Sequence, residues 1–213
     1  MKSIKDTLLL YAVTDRAWVG RQTLMQQVKD SLDGGAAFIQ LREKELDHQT
    51  FLAEAQEMKS LCKEYNVPFV INDNVEIALS CMADGVHVGQ SDMNVLDVRK
   101  LLGKDKIIGV SVQTVEEALI AQNNGADYLG VGAMFSTSTK LDADTVSMET
   151  LKEICASVDI PVIAIGGIYE SNVLELSGSG IVGIAVVSAI FTQDDIKVST
   201  RALLELTKKM VEA

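Results

Sequence analysis

The sequence predicts a (β/α)8 barrel. Eight short runs rich in Val, Ile and Leu recur along 213 residues, and each is followed by a segment of helical periodicity. Most runs are apolar throughout rather than alternating. Such strands are covered on both faces, as in a parallel sheet wrapped by helices. Eight regular units in a chain of this length make a lean barrel. A doubly wound open sheet fits less well, because no Gly-x-Gly-x-x-Gly follows the first run. The length suits one domain over residues 1–213, with 47% hydrophobic and 23% charged residues to build and solvate it.

In chain order, the strands are expected at residues 8–14 (LLLYAVT), 38–42 (FIQLR), 68–72 (PFVIN), 85–88 (GVHV), 106–112 (KIIGVSV), 128–135 (YLGVGAMF), 161–165 (PVIAI) and 180–187 (GIVGIAVV). Pro68 and Pro161 each open a strand, where a missing N–H is tolerated. The first helix, 22–33, stops at Gly34-Gly35. The second, 49–65, carries Phe51, Leu52, Ala55, Met58, Leu61 and Cys62 on one stripe. Shorter helices follow at 75–81 and 95–102. The helix at 114–124 begins with Thr114 as N-cap and Glu117 three residues on, the pattern of a capping box, and Gly125 closes it. Helices at 147–157, 170–177 and 194–211 complete the set.

Composition narrows the chemistry. The net charge is -11, from 30 acidic and 19 basic residues, with no basic cluster to suit nucleic acid. Cys62, Cys81 and Cys155 have no metal-site or disulfide spacing and read as reduced, buried thiols. With only His48 and His87 in the chain, zinc chemistry and histidine triads are poor fits, and an oxygen-bound Mg2+ is favoured for any metal. His87 lies within a strand and reads as a satisfied structural histidine, and His48 as a cap or an exposed helix start. No apolar run reaches bilayer-spanning length, and the short N-terminal one meets Asp15 without a cleavage site. A cytoplasmic protein without membrane contact is expected.

A barrel of this kind carries function at the C-terminal ends of its strands. The second strand exits through Gln40, Leu41, Arg42, Glu43 and Lys44. Period two puts Gln40, Arg42 and Lys44 on one side, where two cations suit a phosphate or diphosphate. The third exits through Asn72 and Asp73, the fourth through Gln90, Ser91 and Asp92. Two carboxylates on neighbouring strand ends can share one Mg2+, and turn or cap chemistry is the alternative. Ser111 offers a hydroxyl at the fifth exit. Gly166 and Gly167 after the seventh strand, matched by Val187 and Ser188 after the eighth, suit a phosphate held by backbone N–H groups. The stretch STSTKLD, from Ser136 to Asp142, falls between these two anion sites.

QLREK, IND, GVHVGQSD, GVSVQT, GAMFSTSTK, AIGGI and VVSAI occur in the order and spacing of the thiamine-phosphate synthase family, which this chain resembles from Leu10 to Phe191. The resemblance implies a transferase that joins hydroxymethylpyrimidine diphosphate to a thiazole phosphate, in its carboxylated or hydroxyethyl form. The products are thiamine phosphate and diphosphate. It implies that Gln40, Leu41, Arg42, Glu43, Lys44 and Asn72 hold the pyrimidine diphosphate, that Asp73 and Asp92 hold Mg2+, and that Ser111 contacts the pyrimidine. Thr137, Ser138, Thr139, Gly167, Val187 and Ser188 would bind the thiazole phosphate, and Lys140 the leaving diphosphate. Arg42, Lys44, Lys140 and Ser111 are the residues expected to carry catalysis.

The chemistry needs no strong base. It needs charge neutralised on a departing diphosphate, and a thiazole nitrogen held near the cation left behind. The family often has prolines where this chain has Ala133 and Ser136. A related thiazole tautomerase typically has a histidine at the position of Ala133, which is missing here. Other phosphate-binding barrel enzymes, or a silent phosphate sensor, leave the QLREK exit unexplained or unused. Small molecules are the expected partners, and a homo-oligomer is compatible with the sequence.

Overall fold

The computed structural model describes residues 3–20, 22–136 and 145–213. Eight strands appear: β1 (Leu10–Val13), β2 (Phe38–Leu41), β3 (Phe69–Asn72), β4 (Gly85–Val88), β5 (Ile107–Val112), β6 (Tyr128–Val131), β7 (Val162–Ile165) and β8 (Gly183–Val186). Each pairs in parallel with its sequence neighbour, and β8 pairs with β1, so the barrel closes in simple order. The expected fold class is what forms. The register sets Val13 beside Gln40, Asn72 beside His87, Ser111 beside Gly130 and Ile165 beside Ala185.

Alternation along each strand divides the apolar residues into two cores. Leu8, Tyr11, Val13, Phe38, Val70, Tyr128, Ile163 and Ala185 fill the barrel interior. Ile39, Leu41, Ile71, Val86, Val88, Ile108, Leu129 and Val131 face the surrounding helices in a much larger cluster. That second environment is why the strands read as unbroken apolar runs. Tyr11, Phe38 and Tyr128 pack as tilted and edge-on rings with centroids 4.5 to 6.0 Å apart. Fully burying a ring such as Phe38 contributes about 1.5–3 kcal/mol. Gly109 makes this aromatic packing possible. A Cβ there would stand 2.3 Å from the Tyr128 hydroxyl and 2.5 Å from His87 Nδ1.

The helices are α1 (Ile4–Thr7), α2 (Leu24–Gly34), α3 (His48–Glu64), α4 (Val75–Ser80), α5 (Val95–Leu102), α6 (Val115–Asn123), α7 (Met148–Ser157), α8 (Ser188–Phe191) and α9 (Ile196–Glu212). Most of their starts are capped by side chains, among them Thr23 with Gln26 in a full capping box on α2, Asp47 on α3, Asn74 on α4, Thr114 on α6 and Ser147 on α7. Thr114 is the cap that was expected, but the Glu117 carboxylate reaches back to the amide of Gln113 at 2.7 Å. His48 is the exposed first residue of α3, and Asp47 does the capping. Gly35 ends α2 at φ 108, the left-handed turn a glycine supplies.

Three expectations are corrected. The sixth strand stops at Val131 instead of 135, because the chain turns in over β7: Met134 and Phe135 donate to the carbonyls of Ile165 and Gly166. The helix expected at 170–177 is only a 3-10 turn, Val173–Leu176, since Ser177-Gly178 break away at φ 68. The first strand begins at Leu10 because Leu8 is the C-cap of α1, its amide donating to the Lys5 carbonyl at 3.3 Å. Ile4 of α1 packs against the interior cluster from the N-terminal end of the barrel.

Candidate active site

At the exits of β1 and β2, ion pairs fix the cationic side of the mouth. Thr14 is fully buried, and its hydroxyl accepts the Arg42 amide at 3.0 Å. The Arg42 guanidinium meets Asp15 at 2.9 Å, with both side chains 16% exposed. Arg42 is therefore held by β1 before any ligand arrives. Arg16, one residue beyond Asp15, forks onto Glu43 at 2.9 and 3.0 Å and onto Glu54 at 2.6 Å. The Glu43 side chain is only 2% exposed and fully engaged in this cluster. Leu41 lies in the helix-facing core, so only its backbone is available to a ligand. Gln40 is buried inside the barrel, and Lys44 is exposed.

The exits of β3 and β4 carry the acidic side. Asn72 ends β3, and its amide donates to the Asp73 carboxylate. Asp73 adopts φ 61, a left-handed backbone that swings its carboxylate toward β4. There it meets Asp92, which also accepts the Gly89 amide at 2.8 Å. Partial burial, together with the hydrogen bond and charge of Asp92, pushes the Asp73 carboxyl up to about 6, and the Asn72 hydrogen bond and Arg42 offset this only in part. Two carboxylates held against their repulsion form a donor set that suits a hard dication. Among the described residues no group of three His, Cys, Asp or Glu could enclose a metal, so the described donor set is the two carboxylates.

The two sides are joined through the barrel. Gln40 Nε2 donates to Asn72 Oδ1 at 3.3 Å, and Gln40 Oε1 accepts the Tyr11 hydroxyl at 2.8 Å. The Tyr11 and Tyr128 hydroxyls are 2.9 Å apart, and Tyr128 lies 2.9 Å from His87 Nδ1. His87 Nε2 is 2.9 Å from Ser111 Oγ, at the top of β5. His87 is thus buried with both nitrogens engaged, as its place in a strand suggested. Burial pulls its imidazole down to about 4, so the ring is neutral near pH 7. Burial likewise drives both tyrosine hydroxyls up, well clear of ionisation.

On the far side of the mouth, Gly166 and Gly167 turn at φ 94 and 66. A Cβ on Gly167 would stand 2.5 Å from the Ser136 carbonyl, so the β6 and β7 loops meet through this glycine. Its carbonyl accepts from Asn172 at 2.9 Å. Val187 lies between β8 and α8, packed against the interior cluster, and the Ser188 hydroxyl pairs with Tyr169 at 2.7 Å. Thr137, Ser138, Thr139 and Lys140 lie outside the described residues.

Sequence reading did not find Thr14, Asp15, Arg16, Tyr11 or Tyr128. The two tyrosines sit inside apolar strand runs, at Leu10–Val13 and Tyr128–Val131, away from the strand exits. The available signal was a hydroxyl on an inward-facing position in each of two strands, opposite an inward-facing glutamine and histidine.

The thiamine monophosphate synthase family model matches residues 10–190. The thiamine-phosphate synthase of Ruminiclostridium cellulolyticum is 52% identical over 97% of this chain and 98% of its own length. That of Clostridium acetobutylicum is 48% identical over 94% of this chain and 95% of its own. Among solved structures, the thiamine phosphate pyrophosphorylase of Pyrococcus furiosus superposes with a TM-score of 0.90 at 36% identity, covering 98% of this chain and all of that one.

Proposed function

Because the chain belongs to the thiamine monophosphate synthase family, we infer that its barrel mouth makes thiamine phosphate, as a transferase acting on a pyrimidine diphosphate and a thiazole phosphate. The observation that carries the assignment of sides is the Asp73–Asp92 pair set beside Arg42, itself anchored to Asp15. A diphosphate with Mg2+ is the ligand class that uses both signs of charge at once.

In this reading Asp73 and Asp92 hold the Mg2+, while Arg42 and Lys44 approach the diphosphate oxygens. Gln40, Asn72 and Ser111 present polar atoms to the pyrimidine. Leu41 and Glu43 contribute through the backbone, since their side chains are committed to the core and to Arg16. Gly167, Val187 and Ser188, with Thr137, Ser138 and Thr139, take the thiazole phosphate, and Lys140 meets the leaving diphosphate.

The reaction then runs as a dissociative substitution. The bond from the pyrimidine methylene carbon to the diphosphate oxygen breaks, and its electron pair departs with diphosphate. The ring amine spreads the resulting positive charge. The thiazole nitrogen then gives its lone pair to that carbon, forming the new C–N bond. When bound, Mg2+ supplies charge neutralisation to the departing group. Arg42 adds a fixed cation that needs no reorganisation, because Asp15 already holds it. The walls of the mouth must exclude water, which would capture the cation.

No helix among the described residues is long and apolar enough to cross a membrane, and all three cysteines are free thiols, which supports a cytoplasmic setting. The whole chain is read as one catalytic domain.

The test is a coupling assay with both substrates, with and without Mg2+. Thiamine phosphate should form only with the metal. Binding of thiazole phosphate without any product would overturn the reading.

A further inference from the structure

The hydrogen bonds through the barrel have a direction that can be worked out. The amide of Asn72 faces the Asp73 carboxylate, so its Oδ1 faces Gln40, which must donate there through Nε2. Gln40 Oε1 is then left to face Tyr11, and Tyr11 must donate to it. With its proton spent, Tyr11 can only accept from Tyr128, 2.9 Å away. Tyr128 in turn has no proton left for His87, so His87 Nδ1 must carry one and donate. A neutral imidazole protonated at Nδ1 has a bare Nε2, which takes the proton of the Ser111 hydroxyl.

The opposite tautomer fails on geometry. If His87 carried its proton on Nε2, Tyr128 would donate to Nδ1 while Tyr11 donated to Gln40. The two tyrosine oxygens would then face each other at 2.9 Å with no hydrogen between them, in a fully buried site. Gly109 is the reason the contacts are this short, since any side chain there would part Tyr128 from His87.

We propose that Tyr11, Tyr128 and His87 are positioning residues that fix the polarity of the mouth, so that Ser111 meets the ligand as an acceptor and selects an amino group on a heteroaromatic ring. Ser111's only proton is held by His87, so its outward lone pairs welcome an N–H and repel a carbonyl oxygen. The same chain holds the Gln40 and Asn72 amides in one orientation on the other side of the ring. The identity of that ring as the pyrimidine rests on the function proposed above. The hydrogen-bond direction does not.

The direct test is the His87 tautomer, read from long-range 1H–15N correlations of the imidazole. The chain has two histidines, so His48→Gln identifies the His87 signals. A neutral ring protonated at Nδ1 is expected. Protonation at Nε2, or a mixture, overturns the proposal. Tyr128→Phe should abolish the tautomer preference and raise KM for the pyrimidine diphosphate about tenfold, leaving KM for thiazole phosphate unchanged. It should also lower discrimination against the analogue with a ring carbonyl in place of the amino group about tenfold. An unchanged tautomer and unchanged selectivity in Tyr128→Phe would equally sink the idea. Should the wild-type protein lack coupling activity, the function fails while the tautomer still decides the direction.

Discussion

Single side chains at the mouth give the most direct tests. The Asp73 carboxyl sits at about 6 because it is partly buried beside Asp92. Its folded value is raised above the unfolded one, so its contribution to stability is present at low pH and is lost as pH rises through about 6. In metal-free protein, this predicts a fall in melting temperature between about pH 4 and 6.5 that Asp92→Asn makes shallower, since burial alone still raises the carboxyl. An Asp92→Asn profile parallel to wild type would count against the pair. Arg42 depends on Asp15 for its aim, so Asp15→Asn should raise KM for the diphosphate substrate about fivefold with little change in melting temperature. Lys140→Ala should cut kcat about 100-fold or more while circular dichroism stays native. Near-normal turnover would remove Lys140 from the mechanism.

Among the elements, β4, β5 and β6 carry the most information per residue, because they bring His87, Ser111 and Tyr128 together around Gly109. Gly109→Ala should destabilise the protein by about 1–3 kcal/mol through overpacking, seen as a lower urea midpoint. It should also disturb selectivity in the same sense as Tyr128→Phe, although residue 109 is buried behind Tyr128 and His87. All eight strands were legible in the sequence, because continuous apolar runs require cover on both faces. Their ends were less so. The strand at residues 128–135 kept an apolar pattern past Val131, yet the chain leaves the sheet there to pair with the β7 loop. Local pattern carries no record of such a cross-loop contact. The rim residues were legible because Arg42, Asp73, Asp92 and Ser111 are polar interruptions at the ends of apolar runs. Asp15 and the tyrosines were not, because their meaning lies in partners 27 and 117 positions away.

For the molecule as a whole, ligand binding and folding are linked. Mg2+ with inorganic diphosphate at 100 times the dissociation constant should stabilise the fold by about 2.7 kcal/mol, roughly 5–10 °C in melting temperature for a chain of this size. Asp73→Asn should lose the metal-dependent part of that gain. A gain of equal size in the variant would place the metal elsewhere. The net charge of -11 makes this response informative, since an anion finds its favourable field only at the local cations of the mouth.

The pairing of β1 with β8 joins the two ends of the sequence into one ring. A growing chain on the ribosome therefore cannot seal its sheet until residue 186 and the residues that follow have emerged. Until then the nascent sheet carries bare backbone along both of its outermost strands, open to any neighbouring extended chain. A stop codon shortly before Gly183 would leave that condition permanent. Such late truncations should appear in the insoluble fraction even though every mouth residue up to Gly167 has been made.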